Sequence, residues 1–378
     1  MKKNQTIEIL PYPRREPLFY GGDELHKAKQ EKVHQLIEKW NLDAILFFRT
    51  EAIRYITDFF VKGYRPFIEL EYFVLVPKKR EPAVGFSSGS DNYRLQLRSS
   101  VEDYRKLPDL ENWHQVIAEM LEDYGLTQGR IGIDVLPYFI GAQLKAKYPK
   151  LQLIDANPLW TELTIFKLPR EIEYIKYSVE IVEIGLQVAI AAAKPGVKEL
   201  DVAIEAEYAM RQAGSEFNAF IPLIVSGINA SIWERVATEK RIRYGDSVVI
   251  DLGVSYRGYT GDSARTIFAG GKASPEQKKI YQVCYQSLQA AIAAIKPGAK
   301  CYEPDAAGHQ LGLALHGVPL INRGVDFVLQ PSMVVALEPR VTMFDRPEVG
   351  GVELENVVLV TEKGNEVLNK VPFEEHLL

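Results

Sequence analysis

Four carboxylates and one imidazole in this chain sit inside or beside strongly apolar segments. Asp251 closes the run Ser247-Val248-Val249-Ile250 and is followed by Leu252-Gly253. Asp262 lies eleven residues on, in Gly261-Asp262-Ser263-Ala264. His309 sits in Gly308-His309-Gln310-Leu311-Gly312, Glu338 ends Met333-Val334-Val335-Ala336-Leu337, and Glu355 precedes Asn356-Val357-Val358-Leu359-Val360. A carboxylate with apolar flanks must be paired, coordinated or protonated, because desolvating a lone charge costs on the order of several kcal/mol. Clustered carboxylates also repel one another. Two divalent cations would cancel four such charges. Oxygen ligands with one imidazole suit manganese, the first expectation, or iron, cobalt or zinc. Taken singly, each residue has a plainer reading: Asp251 as a turn residue, Glu338 as an ion-pair partner, His309 as a satisfied core histidine. Spacing alone leaves both readings open.

The elements that must position these groups are legible around them. Val254–Tyr259 reads as strand, turn and return strand, so one hairpin can carry both aspartates to a common site. Leu168-Pro169-Arg170-Glu171 predicts the start of a long helix running from Ile172 to Ala193, with Pro in the first turn followed by an acid. Lys194-Pro195-Gly196-Val197-Lys198 recurs as Lys296-Pro297-Gly298-Ala299-Lys300, each copy after an Ala-rich helix. This echo predicts a duplicated half with pseudo-twofold symmetry. Beyond the pentapeptide the copies differ. The first leads into a helix, Asp201–Ala213, whereas the second runs through Asp305-Ala306-Ala307 straight into Gly308-His309. An element of about helix size is missing there, either as a real deletion or as a stretch outside the numbered sequence.

Ahead of this region, residues 24–40 predict a helix with Val33, Leu36 and Ile37 inward. Strands are expected at Asp43–Phe48, Phe73–Pro77, Ala83–Phe86 and Arg130–Asp134, with a helix over 111–124. Strands interleaved with helices make this an α/β domain. The expected division is 1–158 and 159–378.

Composition narrows the function. A net charge of −5 and the absence of any long basic run give no electrostatic footprint for nucleic acid. No run of eighteen apolar residues exists, so no membrane partner is expected, and Met1–Gln5 is basic without an apolar stretch behind it. Two cysteines, Cys284 and Cys301, make no disulfide framework and suit a reducing compartment, so the expected location is cytoplasmic.

Together these motifs resemble the creatinase, aminopeptidase P and prolidase superfamily, the pita-bread metallopeptidases. The resemblance rests on Ile250-Asp251-Leu252-Gly253, Gly258-Tyr259, Asp262 and Arg265-Thr266. It continues through Gly308-His309-Gln310-Leu311-Gly312 with His316, Leu337-Glu338-Pro339, and Leu354-Glu355-Asn356 with Thr361-Glu362-Lys363-Gly364. It covers about 165–370 and implies an α/β N-terminal domain before an α+β pita-bread domain. It also implies that Asp262 and Glu355 bridge two metals, Asp251 holds one, and His309 and Glu338 hold the other. Glu338 would then be the general base, and His316 would steady the oxyanion or leaving group.

Several positions depart from the family. After Ser226-Gly227-Ile228-Asn229, the peptidases carry a histidine where this chain has Glu234. The last glutamate motif usually has Arg two residues before the ligand and Asp after it; here these are Glu353 and Asn356. A cationic grip is thus expected to be lost, with Arg340 or Arg346 as candidate replacements. Three function classes stay open: an Xaa-Pro peptidase on short peptides, a creatinase-like hydrolase or lyase on a small cationic non-peptide, and a non-catalytic binding module. Added acids favour the second; five retained ligand positions speak against the third. Relatives are often homodimers whose partner domain covers the site, and Arg65, in Lys62–Phe67, is a candidate for that contact. Trp233 is a candidate lining residue.

Overall fold

The computed structural model describes residues 24–59, 70–99, 101–234, 236–304 and 307–378. In the N-terminal part six strands form one mixed sheet in the order Asp103–Lys106, Ala83–Phe86, Tyr72–Pro77, Ala44–Phe47, Arg130–Ile133, Gln152–Asp155. Both faces are covered. Ile45, Phe47, Val74 and Val76 pack with the helices Glu24–Lys39 and Thr50–Thr57, while Leu46, Phe73 and Leu75 pack with Trp113–Asp123 and Tyr138–Lys147. Burial on both faces is why these strands read as unbroken apolar runs. The helix Asn157–Ile165 spans the boundary expected at 158, and its Leu159, Trp160 and Leu163 fill the N-terminal core.

The C-terminal part opens with the helix Pro169–Ala192, whose Glu171 accepts the Leu168 N–H at 2.7 Å. This helix and Glu199–Gln212 pack on the hairpin Ser247–Tyr256 and Tyr259–Phe268, joined at its edge by Phe217–Asn218 and Leu223–Ser226. A second sheet, ordered Gly317–Ile321, Gly308–Gln310, Val334–Leu337, Asn356–Val360, Asn365–Val367, packs on Pro275–Ala294. Among the described residues no helix is long and apolar enough to cross a membrane.

The echoed pentapeptides occupy equivalent places. Gly196 N–H donates to Ile242 O at 2.8 Å and Ile242 N–H to Val197 O at 2.9 Å. Gly298 N–H donates to Leu329 O at 2.9 Å and Leu329 N–H to Ala299 O at 2.8 Å. Both glycines sit at positive φ, 91° and 86°, which an L side chain rarely adopts. The halves then diverge: after the first turn comes Glu199–Gln212, whereas after the second the chain turns at 301–304 and enters Gly308–Gln310 with no helix among the described residues.

One close approach fixes the hairpin against the long helix. A Cβ added at Gly261 would lie 2.4 Å from the Ser178 carbonyl carbon and 2.6 Å from Val179 N. Gly261→Ala must therefore displace backbone beside Asp262. We expect it to cost about 1–3 kcal/mol, read as a lower urea midpoint with unchanged m-value; an unaltered midpoint would refute the tight crossing.

Candidate metal centre

Strand register decides which side chains can meet. Cross-strand partners share a face, as do residues two apart on one strand. In the hairpin Asp251 pairs with Ala264 and Gly253 with Asp262, so the two aspartates project from one face as diagonal neighbours. In the second sheet His309 pairs with Ala336, and Ala336 with Val357. Glu338 lies two residues past Ala336 and Glu355 two before Val357, each just outside its strand. The same alternation therefore brings His309, Glu338 and Glu355 to one face.

The sheets are tied where those faces meet. Glu355 N–H donates to Ala264 O at 3.0 Å. The Thr266 hydroxyl donates to Glu353 O at 2.8 Å and accepts Glu353 N–H at 2.9 Å. The buried Arg265 guanidinium donates to Glu355 O at 2.6 Å and to Asn356 Oδ1 at 3.0 Å.

The result is a compact donor set. Ligand atoms of Asp262, His309 and Glu355 lie within 4.8 Å of one another, as do those of His309, His316 and Glu338. His309 Nε2 is 3.8 Å from Asp262 Oδ2 and 3.7 Å from Glu338 Oε1. These distances are too long for hydrogen bonds, but ligands sharing one ion sit ~3–4 Å apart. His309 Nδ1 faces the Gln310 carbonyl at 3.2 Å; a proton donated there leaves the Nε2 lone pair toward the carboxylates. The His316 ring meets His309 edge-on, with centroids 4.5 Å apart.

Electrostatics supply the fit. Asp262 Oδ1 and Glu355 Oε1 are buried and have no hydrogen-bond partner among the described residues. Burial, then the Asp251 and Glu338 charges, hold the Asp262 carboxyl well above the ordinary range. Glu355 is pushed up by burial and by Asp262. Burial lowers His309, which favours the neutral, ligating imidazole. Left alone this cluster must take up protons; orphaned oxygens and a neutral imidazole are the donors that divalent cations need.

Both parts of the chain are similar to known proteins. A profile of metallopeptidase family M24 matches residues 173–307 and 302–362, and a profile of the creatinase/prolidase N-terminal domain matches 29–163. The chain is 33% identical over 263 residues to an Xaa-Pro dipeptidase of Pyrococcus furiosus, covering 65% of this chain and 74% of that one. It is 27% identical over 371 residues to an Xaa-Pro dipeptidase of Pyrococcus horikoshii, covering 93% and 99%. The chain belongs to metallopeptidase family M24. A crystal structure of the Pyrococcus horikoshii prolidase superposes with a TM-score of 0.79 at 27% identity, covering 92% of this chain and 99% of that one, so the expected pita-bread domain behind an α/β domain is the fold of this M24 enzyme. The two profile segments overlap at 302–307, just after the second glycine turn, where no helix occurs among the described residues.

The positions that depart from the family now have places. Arg340 and Glu353 face each other across a two-strand ladder, Arg340–Thr342 with Gly351–Glu353. Arg340 Nε bonds Glu353 Oε1, and Nη2 bonds Glu338 Oε2. Its guanidinium lies 4.6 Å from the Trp233 ring centroid. Of the two candidate replacements for the family's arginine, Arg340 lies beside Glu338 and Glu353, carried on the facing strand. Arg346 is instead paired with Glu276 on the surface. Glu353, expected to face substrate, is fully buried and spent on Arg340, while burial and Asp251 push its carboxyl up. Glu234 is half-buried in the stretch that carries Trp233, and its N–H donates to Asn229 O at 2.9 Å. Arg65 and its loop lie outside the described residues. Sequence reasoning gave Arg265 and Thr266 no role; their signal was a charged and a hydroxyl residue closely following Asp262 inside an apolar strand.

Proposed function

We propose that this M24 metallopeptidase uses two divalent metals, manganese by preference, to hydrolyse the peptide bond of short Xaa-Pro substrates. The observation that carries this reading is the meeting of Asp262, His309 and Glu355 with carboxylate oxygens that nothing else satisfies. In this assignment Asp262 and Glu355 would be held in common by both ions, Asp251 would serve one, and His309 with Glu338 the other. Bound ions would supply a water of lowered pKa and polarise the scissile carbonyl. Glu338 would serve as the general base, held by Arg340 through one carboxylate oxygen and facing His309 with the other. His316, beside His309, donates to the developing oxyanion or the leaving nitrogen. A cytosolic setting suits the two buried free thiols.

The small cationic substrate loses half its support, since Glu353 is neutralised internally and only Glu234 remains as an added acid. The test is a panel of Xaa-Pro and Xaa-Ala dipeptides, creatine and betaines, run on chelated protein and on protein reloaded with manganese. We expect Xaa-Pro hydrolysis only after reloading, at two metals per chain. Turnover indifferent to chelation, or confined to the non-peptides, would sink the reading.

A further inference from the structure

Glu199 is a fully buried carboxylate in the first turn of Glu199–Gln212, outside the donor cluster. It accepts from Ser226 N–H and Ser226 Oγ, both at 2.7 Å. It accepts from Asn229 Nδ2 at 2.9 Å, from Thr238 Oγ1 at 2.6 Å and from Thr238 N–H at 3.2 Å. Lys240 Nζ adds a second hold on Ser226 Oγ at 2.6 Å while pairing with Asp246 at 2.7 Å. One carboxylate thus staples residues on either side of Trp233. Core packing does not require this: an apolar side chain of similar volume would fill the space without needing so many donors.

What the staple holds is strained and incompletely satisfied. Trp233 sits at φ +58°, a left-handed backbone that costs a bulky residue energy. Its indole nitrogen is buried with no hydrogen-bond partner among the described residues. The ring packs against Leu223, Val225, Ala230 and Val249 and lies under Arg340, which grips Glu338 and Glu353. Strain of this kind persists only where surrounding bonds over-determine the conformation. We propose that Glu199 is a positioning residue of the active-site wall: by stapling Ser226, Asn229 and Thr238 it fixes Trp233 beneath Arg340, and through Arg340 it sets Glu338. Turnover as a readout rests on the peptidase function above; the fluorescence readout does not.

The test uses Glu199→Gln, Thr238→Val and Trp233→Phe in the full-length, metal-loaded protein. Trp40, Trp113 and Trp160 belong to the N-terminal domain, so subtracting each Trp233→Phe spectrum isolates the Trp233 emission. With metal content unchanged, E199Q should shift that emission to the red and lower kcat/KM on an Xaa-Pro dipeptide about tenfold. In the W233F background the same change should cost less than about twofold, because both act through one contact chain. An unshifted emission, a fully additive loss or a loss of bound metal would each overturn the proposal. If E199Q does not fold, T238V, which removes the hydroxyl donor without touching the helix, decides by the same readouts. If no Xaa-Pro dipeptide is turned over, the emission shift alone decides.

Discussion

Asp262→Ala is expected to remove most of the bound metal and to lower Xaa-Pro hydrolysis by at least ~10³-fold. Groups that merely support a metal ligand typically cost 10–100-fold when removed, and Asp262 is assigned as a ligand shared by both ions. Asp262→Asn keeps the volume and separates charge from packing; it should behave much like the alanine variant. A second expectation has the opposite sign. In chelator the wild-type cluster keeps carboxyls that burial and mutual repulsion push up, so losing one of them relieves the metal-free fold. The variant should therefore melt no lower than wild type in chelator, and lower than wild type with manganese present. Plasma emission analysis and thermal unfolding in both conditions check this. Full metal content in the alanine variant would remove the dinuclear assignment.

The other large effect is expected at Arg340. Its guanidinium is the counter-ion of Glu353, whose side chain is fully buried, and also holds Glu338. Arg340→Ala strands a buried acid between Asp251 and Glu338, and removing one partner of a buried pair typically costs about 3–5 kcal/mol. Arg340 keeps 33% of its side-chain surface exposed, so the lower end, about 3 kcal/mol, is expected. Arg340→Ala with Glu353→Gln should recover most of that stability, because no buried charge is left alone. It should not recover activity, because Glu338 still lacks its clamp. Urea unfolding of the two singles and the double closes the cycle. Equal destabilisation in single and double would show that Glu353 is not charged beside Arg340.

How much of this was legible in the sequence depends on how each residue is held. Asp251, Asp262, His309, Glu338 and Glu355 could be found because each interrupts or ends an apolar strand, where a charged or imidazole group stands out. The repeat could be found because both turns need glycine at positive φ. The strands Asp103–Lys106 and Gln152–Asp155 could not, since edge strands with half-exposed polar side chains carry no apolar alternation. The roles of Arg265 and Glu199, and which of Arg340 and Arg346 would supply the cation, were unreadable for another reason. Their partners lie far along the chain, and a charge at those places is ordinary until the register pairs Arg340 with Glu353 or brings Thr238 to Glu199.

The joining of the two sheets at Ala264–Glu355 and Thr266–Glu353 bears on the order in which competence arises. During synthesis the hairpin bearing both aspartates emerges and can pair well before the strands that bring His309, Glu338 and finally Glu355. A nascent chain holding only the first half has a carboxylate face that can loosely attract cations but no imidazole, base or second bridging acid. The donor set is thus complete only once the late strands dock on the hairpin.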